Sequence, residues 1–264
     1  MPIARRQLFE FNDLHVVPAS VRDTVVESLA HALEWGRMLE GLVEPFERFL
    51  ANHETRDVLD VGSGAGGPAR ILVREFQRSG RPTPRFVLTD LHPRVSVWSR
   101  LEAELPGAIS YHPEPVDATR LERDLTQNRV CSIVNVLHHL PPALAQSVLV
   151  DSARNSRGVF VAECFERNPV HFARFAPAGL AALAANPFLS PRQRIAKALF
   201  TYLATPVALG VCVWDGIVST LRVYTEAELR AMVAPAGAHL EWEYGTWEYP
   251  LGGKGYYFRS RVRG

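Results

Sequence analysis

Gly62, Gly64 and Gly67 stand in "VLDVGSGAGGPAR", residues 58–70, at the spacing G-x-G-x-x-G. Glycines so placed let a backbone turn from a strand into a helix and approach a ligand closely, because no side chain stands in the way. Alone, the spacing suits a dinucleotide. Asp60, two positions before the first glycine, changes that reading. A carboxylate at the strand's end repels a pyrophosphate and attracts a ligand that carries an ammonium and a sulfonium. Other polar groups recur at comparable places: Asp90 ends "FVLTD", Asp117 follows "SYHPEPV", Glu163 ends "GVFVAE" and Asn135 lies in "CSIVNVL". His138 and His139 come directly after that last run. An imidazole beside the ligand can orient or deprotonate an acceptor, because its ordinary pKa is close to neutral. His139 is the first candidate of the two.

Such residues meet only if a scaffold brings strand ends to one edge. Short apolar runs over 57–61, 86–90, 131–137 and 158–163, with a weaker one in 108–118, alternate with helical patterns. Alternation of this kind predicts an α/β fold with a mostly parallel sheet covered on both faces, its ligand bound beyond the carboxyl ends of the strands. Before the glycine loop, Val25, Leu29, Leu33, Leu39 and Leu42 recur near helical spacing, with Pro18 and Ser20 as a start signal. After Glu163 the alternation stops for about sixty residues, too long for an ordinary connection. Residues 165–222 are expected to form a largely helical, apolar insertion that closes an acceptor site. Thr225 and Glu228 then form a capping-box pattern with Gly237 as C-cap, and residues 239–262 alternate as two strands around a Gly-Gly turn. The organisation expected is a helical cap over 1–54, a ligand-binding domain from 55–164 and 223–264, and a lid over 165–222.

Bulk properties narrow the partners. The 264 residues, 47% hydrophobic, suffice for a full core, and 29 Lys+Arg against 28 Asp+Glu leave a net charge of +1. That balance gives no global electrostatic case for nucleic acid or anionic membranes as partners and favours a small molecule. Cys131, Cys164 and Cys212 lie in apolar segments without zinc spacing, so the reading is a reducing, cytoplasmic compartment and no metal. No apolar run of secretory length follows the N-terminal arginines. The uncharged run from Ala198 to Trp214 is shorter than the ~20 residues of a membrane span and is broken by Pro206, so it reads as a buried or pocket-lining helix.

The glycine loop with its preceding acid, the acids after the second and third strands, "NVLHHLPP" and the closing hairpin together resemble class I S-adenosylmethionine-dependent methyltransferases over residues 58–263. "FTYLATPVALGVCVWDGIVSTLRVYTEAELRAMV" is similar to a narrower bacterial subfamily with a TYL…P…WDG-VS-LR-Y signature. The resemblance implies a Rossmann-like doubly wound sheet, mostly parallel with an antiparallel C-terminal hairpin strand, plus N-terminal helices and a helical insertion. It implies S-adenosyl-L-methionine as cofactor. Asp60 would act on the ammonium, and Gly62, Ser63 and Gly64 would offer backbone to the methionine portion and ribose. Asp90, with Leu91, would take the ribose hydroxyls. Asp117 would accept from the adenine amino group beside Ala118, and Asn135 would face the methionine side. Asp215 and Tyr224 would hold the acceptor near His138 and His139, against the competing role of Asp215 as a partner for Arg222. The implied reaction is methylation of a small, rather apolar molecule, an oxygen acceptor being favoured, in bacterial specialised metabolism. Open beside it stand a nicotinamide-dependent oxidoreductase, a non-catalytic nucleotide-binding module, and an insertion that forms a homodimer instead of a lid.

Overall fold

The structure, a computed structural model, describes residues 3–11, 14, 16–189, 193–237 and 240–262, the side chains at 169–172, 251 and 262 excepted. The strands are β1 (Asp57–Val61), β2 (Arg85–Thr89), β3 (Ile109–Tyr111), β4 (Val130–Val134), β5 (Val159–Glu163), β6 (Leu240–Tyr249) and β7 (Gly253–Val262). They form one sheet in the order β3-β2-β1-β4-β5-β7-β6. β1 to β5 pair in parallel, whereas β7 runs antiparallel to β5 with Phe258 opposite Val161. The expected doubly wound sheet with an antiparallel closing hairpin is therefore the architecture found. Every residue of β4 and β5 is buried, as expected of apolar runs covered on both faces. The order reverses between β1 and β4, which is where the carboxyl ends leave a crevice.

The helices are α1 (Ala19–Trp35), α2 (Val43–Asn52), α3 (Gly67–Arg78), α4 (Val95–Glu104), α5 (Arg123–Thr126), α6 (Pro142–Asn155), α7 (Pro169–Leu189), α8 (Arg194–Ala198), α9 (Thr205–Arg222) and α10 (Glu226–Val233), with a π turn at Leu199–Leu203. The chain divides into two compact units. One comprises residues 1–38, 165–223 and 248–254, and the other residues 39–164, 224–247 and 255–264. Residues 39–54 thus group with the sheet.

In the sheet unit, α2 lays Phe46 and Phe49 on the Phe160 ring of β5, with centroids 4.9 and 5.2 Å away. Fully burying a side chain of this kind contributes about 1.5–3 kcal/mol, so these aromatics anchor α2 to the sheet. The capping box of α10 is present, with Glu228 N on Thr225 Oγ1 and Thr225 N on Glu228 Oε2 at 2.8 Å. Gly237 does not cap α10 directly. A 3-10 turn over Ala234–Ala236 intervenes, and Gly237 follows it at φ 110°. His239, the first residue of the expected hairpin, lies outside the described residues.

In the other unit, α1 packs along α7. Its buried residues are Thr24, Ser28, Ala32 and Leu33, so of the expected leucine line Leu33 is buried whereas Leu29 is exposed. Small residues four apart let α1 approach the alanine-rich α7 closely, a preference that a hydrophobicity period alone does not register. Ser20 falls inside α1 and no side chain caps its start after Pro18. The uncharged run 198–214 is not one helix, but its part in α9 lines an apolar recess through Val207, Gly210, Val211 and Trp214, as the pocket-lining reading expected. Arg194–Leu203 and Thr205–Arg222 meet at 92°, because Pro206 lacks the N–H needed to continue the first helix and instead starts the second. Ala208 and Val211 are buried while Leu203 and Val207 are exposed. No single helix among the described residues is long and apolar enough to cross a membrane.

Candidate functional site

The sheet unit carries a cluster of polar groups at the carboxyl ends of its strands. The loop from β1 to α3 turns through Gly62, Gly64 and Gly66 at φ 72°, 53° and 76°. Gly67, the third glycine of the sequence pattern, is the first helical residue, and Pro68 sits in the first turn. A Cβ at Gly62 would lie 2.8 Å from Val136 Cγ1, whereas one at Gly64 would project into open space. Gly62 is thus glycine for packing, and Gly64 has open space where a side chain would stand. Trp98 Nε1 holds Gly64 O at 3.0 Å from below.

Asp60 is buried in β1. Burial pushes its carboxyl up to about 7, against hydrogen bonds from Ser63 and Ser132 that lower it, with Asp90 raising it further. The Ser63 hydroxyl donates to Asp60 O at 2.9 Å and accepts from Thr89 N at 3.1 Å, so it laces β1 to β2. Asp90, just past β2, accepts Gly64 N on Oδ2 and His92 N on Oδ1, each at 2.8 Å. Leu91 beside it is exposed. Val116 N reaches Asp90 O at 2.9 Å, which draws the loop bearing Asp117 and Ala118 to the same edge. Asp117 is exposed, and its Oδ1 accepts Thr119 N and Oγ1, bonds that hold its carboxyl below the usual range.

Asn135, at φ 57° beyond β4, spends its amide on the sheet edge: Oδ1 accepts Cys164 N at 2.8 Å and Nδ2 donates to Cys164 Sγ at 3.2 Å. The two histidines that follow differ in their surroundings. His138 is buried, its main-chain N–H donates to Glu163 Oε1 at 3.1 Å, and its Nδ1 lies 2.7 Å from Glu163 Oε2. With Glu163 as the acceptor, the proton of this bond is on Nδ1. The His139 ring is half-buried and lies 4.1 Å from that of His138. Tyr224, expected near the acceptor, is buried and donates its hydroxyl to Leu140 O at 2.6 Å. It pins the turn that carries the histidines. Burial pushes the Cys131, Cys164 and Cys212 thiols up to about 11, 12 and 11, so they stay protonated.

Asp215 belongs to the other unit, where its Oδ1 accepts Phe11 N at 2.7 Å. Arg222, the alternative partner of Asp215, meets Glu10 at 3.0 Å, both buried. That unit also holds an apolar recess of about 470 Å³ lined by Phe9, Phe11, Val207, Gly210, Val211 and Trp214. The pairing of Glu163 with His138 had only one trace in sequence, an acid closing a strand that otherwise reads as core.

No protein-family profile matches the chain, and no curated protein matches it. The sheet order and hairpin are those of the class I methyltransferase fold, and solved O-methyltransferases share it. NcsB1, an O-methyltransferase from neocarzinostatin biosynthesis solved with S-adenosylmethionine and 2-hydroxy-5-methyl naphthoic acid, superposes at a TM-score of 0.50 and 15% identity over 93% of this chain and 59% of its own. TnmH superposes at 0.50 and 19% identity over 89% of this chain and 57% of its own. A protein from Nostoc punctiforme assigned as an O-methyltransferase gives 0.51 and 13% identity over 98% of this chain and 64% of its own. The chain thus spans under two thirds of the length of each of these three structures.

Proposed function

We propose that the protein is an S-adenosylmethionine-dependent methyltransferase acting on a small, rather apolar molecule, with a hydroxyl as the favoured acceptor. The observation that carries this reading is the bare Gly64 backbone between two carboxyl groups, Asp60 at the end of β1 and Asp90 at the end of β2. The cradle fits the cofactor: it offers negative charge to an ammonium and oxygen acceptors to ribose hydroxyls, and it has no side chain at the point of closest approach. When bound, S-adenosylmethionine supplies a methyl group made electrophilic by the sulfonium. Asp60 serves the ammonium through its charge, Asp90 takes the ribose hydroxyls, and Asp117 with Ala118 serves the adenine. The Asn135 amide is already engaged, so its part is to shape the edge.

His138, rather than His139, is the proposed base. Its Nε2 takes the proton of the acceptor hydroxyl while Glu163 keeps the proton on Nδ1 and stabilises the imidazolium that forms. The O–H bond breaks as the N–H bond forms, and the oxygen is then a competent nucleophile. The naphthoic acid bound by NcsB1 supports an apolar ring system in the acceptor. The free thiols suit a reducing compartment.

Calorimetric titration with S-adenosylhomocysteine, with NADH in parallel, tests the cofactor. Binding of the first alone is expected, and Asp90→Ala should weaken it by about 1–3 kcal/mol without unfolding the chain. Binding of NADH alone would transfer the glycine loop to hydride chemistry. Labelled methyl transfer to hydroxylated apolar aromatics then tests the acceptor class.

A further inference from the structure

The segment from α8 through the π turn is patterned inside out. Lys197 is fully buried and its Nζ lies 2.5 Å from Glu27 Oε2, which also receives Asn186 Nδ2 at 3.2 Å. Ile195, Leu199 and Leu203, four residues apart on the opposite side, face solvent, with Ile195 at 79% and Leu203 at 80% exposure. A surface helix ordinarily does the reverse. The outward row continues into Phe188 at the end of α7 and Val207 at the start of α9, both exposed. It is one surface: the Phe188 and Tyr202 rings lie 6.2 Å apart, Tyr202 donates its hydroxyl to Ala184 O, and the Arg194 guanidinium sits 5.6 Å over Phe188. A contiguous apolar face of this kind needs an apolar counterpart.

Charge decides which counterpart. Between Glu166 and Asp215 the sequence has no Asp or Glu, and the cation described on the outward row is Arg194. The row therefore combines aliphatic and aromatic side chains with an exposed Arg194 and no carboxylate, a pattern complementary to an anionic lipid surface. A second copy docking on the same face would bring Arg194 toward its own equivalent with no acid on this stretch to offset it. No single helix among the described residues is long and apolar enough to cross, the two apolar helices meet at 92°, and α9 buries Asp215 and Arg222, which favours contact with the membrane surface. We propose that Phe188, Ile195, Leu199 and Leu203 form a docking surface that lies on an anionic bilayer, their side chains entering the boundary between headgroups and acyl chains, with Arg194 at the lipid phosphates. The inference does not depend on methyl transfer.

Flotation of the full chain with phosphatidylcholine vesicles, with and without phosphatidylglycerol, tests it. The expected result is binding that requires phosphatidylglycerol, weakens as salt is added, and falls by about tenfold in Leu203→Glu and severalfold in Arg194→Glu. Both side chains are solvent-exposed, so thermal unfolding of both variants should match the parent. Arg194→Glu keeps the test open if Leu203→Glu folds poorly. Failure to float with either vesicle, or flotation unchanged in both variants, overturns the proposal. Equal binding to neutral vesicles overturns its charge argument. A concentration-dependent dimer that Leu203→Glu dissociates, with vesicles left unbound, reassigns the face to a second copy.

Discussion

Adjacent histidines show how far surroundings, rather than residue type, set a chemical role. His138 is oriented by Glu163 through both its main chain and its ring, while the His139 ring lies tilted against it at 37°. His138→Ala should lower kcat by about 10²–10⁴ with the affinity for S-adenosylhomocysteine intact, and Glu163→Gln should lower kcat less and displace its pH profile. Steady-state rates over a pH series, beside a binding titration, check both; unchanged kcat in His138→Ala would remove it from the chemistry. Asp60 supplies a second pH dependence. Its folded pKa of about 7 stands above the ordinary 3.8, so the folded chain holds an extra proton between those values. The associated stability is fully present below pH 3.8 and is lost as pH rises through about 7. In the ligand-free protein, Asp60→Asn should therefore flatten a decline in Tm across that window, and an equal decline in the variant would assign it elsewhere. Because an ammonium favours the ionised carboxyl, binding of S-adenosylhomocysteine should tighten with pH up to about 7, approaching tenfold per unit at the limit.

The loop between β1 and α3 separates two uses of glycine. At Gly62 a side chain meets Val136 as well as a left-handed backbone, while at Gly64 only the backbone objects. Gly62→Ala is expected to cost more stability than Gly64→Ala, the latter costing about 1–2 kcal/mol for the left-handed conformation. Gly64→Ala should instead remove cofactor binding, because its Cβ stands where the ligand must approach. Denaturant unfolding and a titration of each variant separate these outcomes, and tight binding by Gly64→Ala would place the ligand elsewhere. At this scale much was legible in advance. The strands, the glycine turn and the capping box of α10 depend on neighbours within a few residues, and all appear near their expected places. Two positions slipped. Asp117 lies beyond β3, which ends at Tyr111, and the N-terminal helical pattern divides into α1 and α2 around Gly36.

For the molecule as a whole, the unit without the sheet is held by contacts distant in sequence. Its N-terminal segment is laced to α9: Arg6 N reaches Leu221 O at 3.1 Å, Trp214 Nε1 reaches Phe9 O at 2.9 Å, and Glu10 meets both Arg222 and the Ser219 hydroxyl. Removing one partner of a buried ion pair leaves an uncompensated charge. Glu10→Ala should therefore destabilise by about 3–5 kcal/mol, and Glu10→Gln by less because its amide oxygen can still accept. A loss below about 1 kcal/mol in denaturant unfolding of Glu10→Ala would show that Arg222 is satisfied by the Leu8 carbonyl alone.

Periodicity and spacing alone determined the alternation of strands and helices, the glycine turn, and the polar strand ends that point to a cationic nucleoside ligand, because each is a preference of contiguous chain. Tertiary structure decided the partnerships. Arg222 meets Glu10, and Asp215 accepts Phe11 N, because the N-terminal segment packs along α9. Glu163 finds His138 because β4 and β5 are parallel neighbours whose ends stand side by side. The outward row at Ile195, Leu199 and Leu203 reads in sequence as core, since hydropathy says that a side chain avoids water and not which surface will cover it.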